Sequence, residues 1–250
     1  VAARLSITRL PSHPITPLPF DFSRYRVLTF DCYGTLIDWE SGILGFFRPL
    51  LGRHGKALSD DEILQAYAEL ESEAESGDYM TYRNVLRSVV HAFGLRMDFP
   101  VSPAEADALP ASLPEWPPFP DTVEALKRLK TRFQLAIISN TDDDLFAETA
   151  KRLEVPFDFV ITAQQVGSYK PSLNNFRRAI ERIGLPATQV LHCAQSRFHD
   201  IAPARSLGLA TVWVNRRAGK TTPWGASVPS EASPDLEVPD LKTLAALAAP

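Results

Sequence analysis

Short apolar runs alternate with segments of helical periodicity along much of this chain. Five such runs predict β-strands, at residues 26–31, 134–139, 157–162, 189–194 and 210–214. Between the later runs, apolar residues recur three and four positions apart, which is typical of helices that pack on a sheet. Strands separated by helices favour a parallel sheet with right-handed crossovers. The pattern therefore predicts an α/β fold with a doubly wound, mostly parallel sheet.

A long stretch of helical periodicity interrupts this alternation after the first strand. Ser59 and Glu62 form a capping-box pattern at the start of one predicted helix. A second helix, over apolar positions in residues 82–93, is predicted to end at Gly94, and a third is predicted to begin at Pro103. We therefore predict a helical cap domain inserted into the sheet domain.

Proline-rich segments mark the limits of these units. Five prolines lie between positions 110 and 120 and predict a stiff hinge, and four more lie between positions 11 and 19 of an extended or disordered N-terminal segment. A Ser-, Pro- and Thr-rich tail over residues 219–239 predicts a loop before a final helix over residues 240–249. The resulting division is into an N-terminal extension, a core domain and a cap domain: residues 1–24, 25–37 together with 116–250, and 38–115.

Composition and charge exclude several classes of protein. The 250 residues are 45% hydrophobic and 22% charged, which is ordinary for a globular protein. A net charge of -4 gives no indication of a nucleic-acid surface, and no apolar run is long enough to span a bilayer. Two cysteines, Cys32 and Cys193, favour a reducing compartment and small apolar core positions over a disulfide scaffold. We expect a cytoplasmic protein with no nucleic-acid or membrane partner; a homodimer is compatible with the sequence.

The first predicted strand ends in a candidate nucleophile. Its apolar residues stop at Asp31, and a Gly-Thr turn follows at residues 34 and 35. A buried strand that stops at an acid presents the carboxylate at the carboxyl edge of the sheet, where open α/β sheets bind ligands. Asp31 is therefore predicted to attack the substrate, with an ordinary strand end and a turn-forming aspartate as the alternative.

The segment from Asp31 to Thr35 resembles the first motif of the haloacid dehalogenase (HAD) superfamily. In the phosphatases of that superfamily the second acid of an Asp-x-Asp-x-Thr pattern is the general acid/base, whereas Tyr33 takes that place here. Tyr-Gly-Thr after the nucleophile is similar to the L-2-haloacid dehalogenase (type II) branch. The resemblance implies catalytic roles for Asp31 and Thr35 and a substrate-binding role for Tyr33.

Three later segments match the remaining motifs of the superfamily, in the same order. Ser139 and Asn140 end an apolar strand, and the resemblance implies that they bind the substrate carboxylate or the halide; capping of the next helix is the alternative. Lys170 precedes a proline and is implied to keep Asp31 ionised and in place. Asp200 follows the fourth strand and is implied to position and activate the hydrolytic water together with Lys170.

The chain departs from the dehalogenase pattern where the leaving halide would bind. The resemblance implies an arginine on the first insert helix, but residues 62–67 contain none, and Phe176 stands where a tyrosine is implied. Gln195 and Arg197 replace an implied Ser-x-Asn pattern. His199 either titrates near neutral pH or is a polar residue at the mouth of the site. Another group would have to bind the halide, and the candidates are Arg83, Arg87, Asn140 and Arg197. The alternative for each of the three arginines is a solvent-exposed surface position.

These observations leave three functions open. We expect hydrolytic dehalogenation of a small organic acid of the 2-haloacid type through an ester at Asp31, with no metal and no cofactor. The first alternative is a Mg²⁺-dependent phosphatase of the same fold, in which Asp31 and Asp200 are the only acidic ligand candidates because Tyr33 and Gln195 replace the acids of phosphatases. The second alternative is a catalytically weak binding protein on this fold.

Overall fold

A parallel sheet forms the centre of the protein. The computed structural model describes residues 20–219 and 227–250. Its six strands lie in the order β3-β2-β1-β4-β5-β6, and each neighbouring pair is parallel. The predicted doubly wound α/β fold is confirmed. In chain order the strands are β1 (Val27–Phe30), β2 (Gln134–Ser139), β3 (Phe159–Thr162), β4 (Val190–Ala194), β5 (Ala210–Val214) and β6 (Leu236–Val238).

Helices cover both faces of this sheet because alternate strand residues point to opposite sides. Val27 of β1 packs in one buried cluster, and Leu28 packs in another. The first cluster includes apolar residues of the helices Leu173–Ile183 and Ala202–Ser206, and the second includes those of Thr122–Lys130, Asp143–Leu153 and Leu241–Ala248. In chain order these core helices are α5 (Thr122–Lys130), α6 (Asp143–Leu153), α7 (Ala163–Val166), α8 (Leu173–Ile183), α9 (Ala202–Ser206) and α10 (Leu241–Ala248).

Four further helices form the inserted cap between β1 and α5. They are α1 (Trp39–Arg53), α2 (Asp60–Glu75), α3 (Tyr82–Arg96) and α4 (Pro103–Ser112). The predicted capping box is present at Ser59 with Glu62, and a second one, at Ser102 with Glu105, begins α4 at the predicted Pro103. The chain enters and leaves the cap side by side, because the Asp38 N–H donates to the carbonyl of Pro117 at 2.8 Å.

The prediction that the cap helix over residues 82–93 ends at Gly94 is wrong, because this helix, α3, continues to Arg96. A Cβ atom at Gly94 would lie 2.4 Å from Val101 Cγ2 and 2.8 Å from the carbonyl oxygen of Phe99. The glycine therefore permits the returning chain to pack closely against the helix. Glycine is favoured both where another chain segment packs closely and where a helix ends, so the sequence alone does not show which of the two explains Gly94.

The prediction of a loop throughout residues 219–239 is wrong at its end, where β6 pairs with the outer side of β5. Asp235 anchors the pairing, since its Oδ2 accepts hydrogen bonds from the N–H and the hydroxyl of Thr211 at 2.8 and 3.0 Å. A strand of three residues is too short to show an alternating pattern. Residues 220–226 of this segment lie outside the described residues.

The N-terminal extension is described only from residue 20 onward, and residues 1–19 lie outside the described part. Phe22 is buried and packs in the main core cluster, so the extension meets the core at this end. Cys32 and Cys193 are free, buried thiols, as predicted for core positions. In the described ranges, no helix combines the length and the apolar character needed to cross a membrane.

Candidate active site

Asp31 lies one residue beyond β1, at the point where the strand order reverses. The neighbours β2 and β4 continue in opposite directions from β1, which leaves a crevice at the carboxyl edge. Asp31 is buried, with 7% of its surface exposed. Thr35 Oγ1 donates to Asp31 Oδ2 at 2.7 Å, and Lys170 Nζ donates to Asp31 Oδ1 at 2.8 Å. The fold therefore brings three of the predicted catalytic residues into direct contact.

A tight turn places the Thr35 hydroxyl against Asp31. Gly34 has a φ of +91°, a backbone conformation that favours glycine. Thr35 Oγ1 also accepts a hydrogen bond from the backbone N–H of Gln195 at 2.9 Å. Because this N–H occupies one side of the hydroxyl oxygen, the hydroxyl proton is left to point at Asp31. The turn after β1 and the loop after β4 thus fix the nucleophile together.

Lys170 is a buried cation with all three of its protons engaged. Its Nζ donates to Asp31 Oδ1, to Asp200 Oδ1 at 2.7 Å and to the carbonyl of Ile138 at 2.9 Å. Burial opposes the charged form of this side chain, but the carboxylates of Asp200 and Asp31 outweigh it and raise the pKa of Lys170. Lys170 is therefore charged at neutral pH and compensates two carboxylates at once.

The two carboxylates beside Lys170 have different surroundings. Burial raises the pKa of Asp31, and the nearby charge of Asp200 adds to this, while Lys170 and Thr35 oppose it. For Asp200, burial is outweighed by Lys170 and by a hydrogen bond from His192, so its pKa is lowered. Asp200 Oδ2 is buried and has no hydrogen-bond partner among the described residues. This oxygen is thus an ionised acceptor suited to a proton from water.

Two residues that no motif indicated, His192 and Arg216, also position the site. His192 Nε2 lies 2.9 Å from Asp200 Oδ1, and its Nδ1 lies 2.8 Å from the hydroxyl of Thr29. An ionised carboxylate only accepts, so Nε2 is the donor and Nδ1 accepts from Thr29. Arg216 donates to the carbonyl of Thr35 at 2.9 and 3.1 Å. The signal in the sequence for His192 was a histidine inside an otherwise apolar strand.

The three predicted substrate-binding residues line the same cavity but offer different groups to it. Ser139 Oγ is buried and has no hydrogen-bond partner in the described part of the chain. The Asn140 amide is engaged within the protein, because it donates to Glu75 and to the carbonyl of Lys170 and accepts from the Lys170 N–H. The Tyr33 hydroxyl is turned away to Thr149, 2.9 Å distant. Of the three, Ser139 is the one whose side chain is ready to bind a ligand.

Sequence reasoning missed the cap wall of this cavity. Glu71 and Glu75 of α2 line it, together with Trp39 and Tyr82. The hydroxyls of Tyr67 and Tyr82 donate to Glu71 Oε1 at 2.8 and 2.7 Å. One helix face carries Tyr67, Glu71 and Glu75, because these residues are four positions apart. This spacing from the apolar Tyr67 was the signal in the sequence that the two glutamates face inward.

Burial raises the pKa of both cap glutamates. The pKa of Glu71 is raised to about 7; hydrogen bonds from Tyr82 and Tyr67 oppose the effect of burial, and the charge of Asp31 adds to it. For Glu75, burial and the proximity of Glu71 raise the pKa well above its ordinary value. At neutral pH this wall therefore shares at least one proton between two carboxyl groups.

Replacing Glu71 by glutamine is expected to remove a pH-dependent loss of stability. The native carboxyl keeps its proton to about pH 7, whereas the unfolded chain loses it near 4.5. The unfolded state therefore binds fewer protons between these values, and the free energy of unfolding falls as pH rises, by about 3 kcal/mol. Glutamine is shaped like the neutral acid, and its carbonyl still accepts from the two tyrosines.

Urea unfolding of the wild type and the variant between pH 5 and pH 8 measures this effect. The two unfolding free energies should be similar at pH 5, and Glu71→Gln should be the more stable protein at pH 8. Glu73→Gln, on the exposed side of the same helix, is the matched control and should follow the wild type. Parallel pH profiles for wild type and Glu71→Gln would contradict the assigned environment of Glu71.

The arginines considered for halide capture do not line this cavity. Arg83 pairs with Asp144 at 2.7 Å, and Arg87 pairs with Asp107 on α4. Arg197 donates to the carbonyl of Ala232, with its guanidinium over the ring of Trp213. Each makes contacts outside the cavity, so none replaces the arginine that the dehalogenase resemblance implies.

His199 lines the cavity as a neutral polar residue. Its Nδ1 lies 3.1 Å from the hydroxyl of Ser196, which also accepts from the His199 backbone N–H. Burial lowers the pKa of His199 to about 4, against the opposing charge of Asp200. Of the two alternatives considered for this residue, titration near neutral pH is therefore wrong. His199 adds no positive charge to the site.

The residues present do not fit a magnesium ion. Asp31 and Asp200 both direct Oδ1 at Lys170 Nζ, so an ammonium group lies between the two candidate ligands. Residues 20–219 and 227–250 contain no cluster of three or more His, Cys, Asp or Glu side chains that could hold a metal ion. Mg²⁺ prefers several oxygen ligands around it. We therefore derive no step of the reaction through a metal.

Comparisons with known proteins agree with this geometry. The (S)-2-haloacid dehalogenase of Pseudomonas fluorescens is 27% identical over 200 residues, which cover 76% of this chain and 84% of that one. The enzyme of the same name from Pseudomonas sp. strain YL is 28% identical over 229 residues, covering 88% and 93%. The L-2-haloacid dehalogenase of Xanthobacter autotrophicus, solved with chloropropionic acid covalently bound, has the same fold, with a TM-score of 0.75 at 21% identity over 89% of this chain and 98% of that one.

The family model of the haloacid dehalogenase-like hydrolases matches residues 25–208, which include β1 to α9 and the whole cap. The matched segment holds Asp31, Thr35, Ser139, Lys170 and Asp200. The protein is therefore an enzyme of the haloacid dehalogenase-like hydrolase family.

Proposed function

We propose that the protein hydrolyses a carbon–halogen bond of a small organic acid through an ester formed at Asp31. The environment of Asp31 carries this proposal. One carboxylate oxygen is held by the Thr35 hydroxyl and the other by the Lys170 ammonium. Both contacts favour the ionised, nucleophilic form inside a buried site.

In the first step a carboxylate oxygen of Asp31 attacks the halogen-bearing carbon. The new carbon–oxygen bond forms as the carbon–halogen bond breaks, and the halide leaves with the bonding electrons. The nucleophile must approach opposite the leaving atom. Asp31 approaches the carbon from the sheet side of the cavity, and the halide leaves on the side of the carbon away from Asp31.

In the second step water attacks the carbonyl carbon of the aspartyl ester. Asp200 accepts the water proton at its unpartnered Oδ2, and Lys170 keeps both carboxyl groups in register. The ester carbon–oxygen bond of the aspartyl group breaks, the hydroxy acid leaves, and the Asp31 carboxylate is restored. The overall reaction consumes one water and yields the hydroxy acid, a halide ion and one proton.

Two features favour attack at carbon over attack at phosphorus. Tyr33 occupies the position where phosphatases of the fold carry an acid, and its hydroxyl is turned to Thr149. Protonation of the leaving group by a general acid is typically worth about 10²–10⁴-fold, and a halide needs no such proton. The two similar Pseudomonas proteins are (S)-2-haloacid dehalogenases, which supports 2-haloacids as the first substrates to test.

Halide release from a panel of acids is the experiment that tests this function. The panel contains 2-chloro, 2-bromo and 2-fluoro acids, with and without an amino substituent, each assayed with and without EDTA. We expect halide from at least one acid, at a rate that EDTA leaves unchanged. Phosphate ester hydrolysis that EDTA abolishes and Mg²⁺ restores would establish the phosphatase instead. Absence of any halide would favour a protein that binds without turnover.

A further inference from the structure

The cap wall of the cavity is acidic, although the related dehalogenases named above act on haloacids. Glu71 and Glu75 lie one helical turn apart on α2 and line the same cavity as Asp31 and Asp200. Glu71 Oε1 accepts two phenolic hydrogen bonds, while its Oε2 has no hydrogen bond from a described residue. Among the described residues, Glu75 accepts hydrogen bonds only from the Asn140 amide. Both glutamates thus have acceptor oxygens left for a ligand.

The charges around the cavity are unbalanced in a way that disfavours a simple anion. Four carboxyl groups line it, and Lys170 is the only lysine or arginine among the described residues that do so. Its three protons are taken by Asp31, Asp200 and the carbonyl of Ile138. The cap glutamates are therefore left without a cation from the cavity wall. Opposite charges attract more strongly in a partly buried site than in water, so a positive group is favoured beside them.

Ser139 supplies an independent indication that a polar ligand fills this space. Its hydroxyl is 1% exposed and lacks a partner in the described ranges, yet the residue lines the cavity. A buried hydroxyl without a hydrogen bond is unfavourable, and native proteins pair such groups. A ligand that lies between the sheet and α2 would satisfy it.

We propose that Glu71 and Glu75 bind a protonated amine of the substrate. This inference rests on the proposed attack of Asp31 on a small organic acid and names the class of that acid, an amino-substituted one. Its ammonium group lies against α2, its electrophilic carbon faces Asp31, and the Ser139 hydroxyl donates to its carboxylate. Burial is the main cause of the raised pKa values of the two glutamates, and a bound ammonium group stabilises their charged forms against this effect.

Binding of three unreactive probes of similar size tests the proposal without any turnover. Propylammonium, propan-1-ol and propionate are titrated by calorimetry into the wild-type protein, the Glu71→Gln/Glu75→Gln double variant and Glu73→Gln as the surface control. We expect propylammonium to bind the wild type at least tenfold more tightly than propionate. The double variant should lose this preference, and Glu73→Gln should keep it. Thermal unfolding of each protein confirms that the variants are folded.

Tighter binding of propionate than of propylammonium by the wild type would overturn the proposal. Unchanged propylammonium affinity in the folded double variant would overturn it as well. The single Glu75→Gln change gives a second measurement if the double variant does not fold, and its loss of affinity should be at least threefold.

A pair of substrates separates this proposal from the proposed function. Comparing 3-amino-2-chloropropionate with 2-chloropropionate, we expect kcat/KM to be at least tenfold higher for the amino acid, and the double variant to reverse this order. Amine binding that depends on Glu71 without halide release from either acid would leave the ammonium site standing and overturn the dehalogenase function. Equal kcat/KM values for the two acids would overturn the ammonium site and leave the function standing.

Discussion

Asp31→Asn is expected to lower turnover by at least about 10⁴-fold while leaving the protein folded, because an amide is a poor nucleophile. The amide carbonyl can still accept from Lys170, and the Thr35 hydroxyl can rotate to accept from the amide N–H₂. The variant keeps the shape and the hydrogen-bond count of the site, so thermal unfolding should show a cooperative transition. Steady-state kinetics on any substrate found by halide release measures the effect.

Asp144→Asn is the matched control for this change. Asp144 lies in the first turn of α6 and pairs with Arg83 in an exposed position, where an ion pair contributes little to stability or to the site. Its kcat should equal that of the wild type. Retention of more than a few per cent of activity by Asp31→Asn would remove Asp31 from the role of nucleophile.

The origin of the product oxygen distinguishes the covalent route from direct attack by water. In a single turnover in H₂¹⁸O with enzyme in excess, the hydroxy acid should carry an unlabelled oxygen that came from Asp31. The label should appear in the peptide that contains Asp31, because water attacks the aspartyl carbonyl. Label in the product of the first turnover would show that water attacks the substrate directly.

Lys170→Met is expected to destabilise the fold by about 3–5 kcal/mol and to abolish activity near neutral pH. Methionine fills a similar volume but leaves Asp31 and Asp200 buried without their shared cation. Removing one partner of a buried ion pair is costly because the other charge remains. The pKa of Asp31, already raised by burial, should rise further, so the residue becomes a neutral acid. Urea unfolding and the pH profile of kcat/KM measure the two effects.

The double variant Lys170→Met/Asp200→Asn tests whether this cost is electrostatic. Removing the Asp200 carboxylate should recover part of the lost stability without restoring activity, because the interaction between Lys170 and Asp200 is lost only once. If the double variant is as unstable as the sum of the single variants, packing of the lysine stem carries the effect. Arg178, an exposed residue on α8, provides the control Arg178→Met with little change in either measurement.

The arrangement of the cap changes what the dehalogenase resemblance implies for substrate choice. The core supplies Asp31, Lys170 and Asp200, which the superfamily motifs imply, and Lys170 contacts both carboxylates. The cap supplies two glutamates in place of an arginine. Under the proposed function, substitutions at Glu71 and Glu75 should alter which substrate binds, whereas substitution of Asp31 should abolish turnover.

The positions of the core residues could be predicted from the sequence because each is tied to a strand end. Asp31 follows β1, Ser139 ends β2 and Asp200 lies shortly after β4, and parallel strands bring their carboxyl ends to one edge of the sheet. Helix starts at Ser59 and Ser102 were equally local, since a capping box involves four consecutive residues. Such features depend on neighbours in the chain, and sequence alone contains them.

Tertiary structure decided the features that depend on which surfaces meet. The helical pattern of α2 predicts that Glu71 and Glu75 share one face of the helix. Their position over the cavity depends on how the cap packs against the core. The same contact turned Arg83 towards Asp144 and away from the substrate. Gly94 accommodates a passing chain, and His192 finds Asp200 across the end of its strand. Local preference follows from the order of residues, whereas each of these contacts depends on how a loop folds back or how the cap meets the core, and only the folded chain fixes those distances.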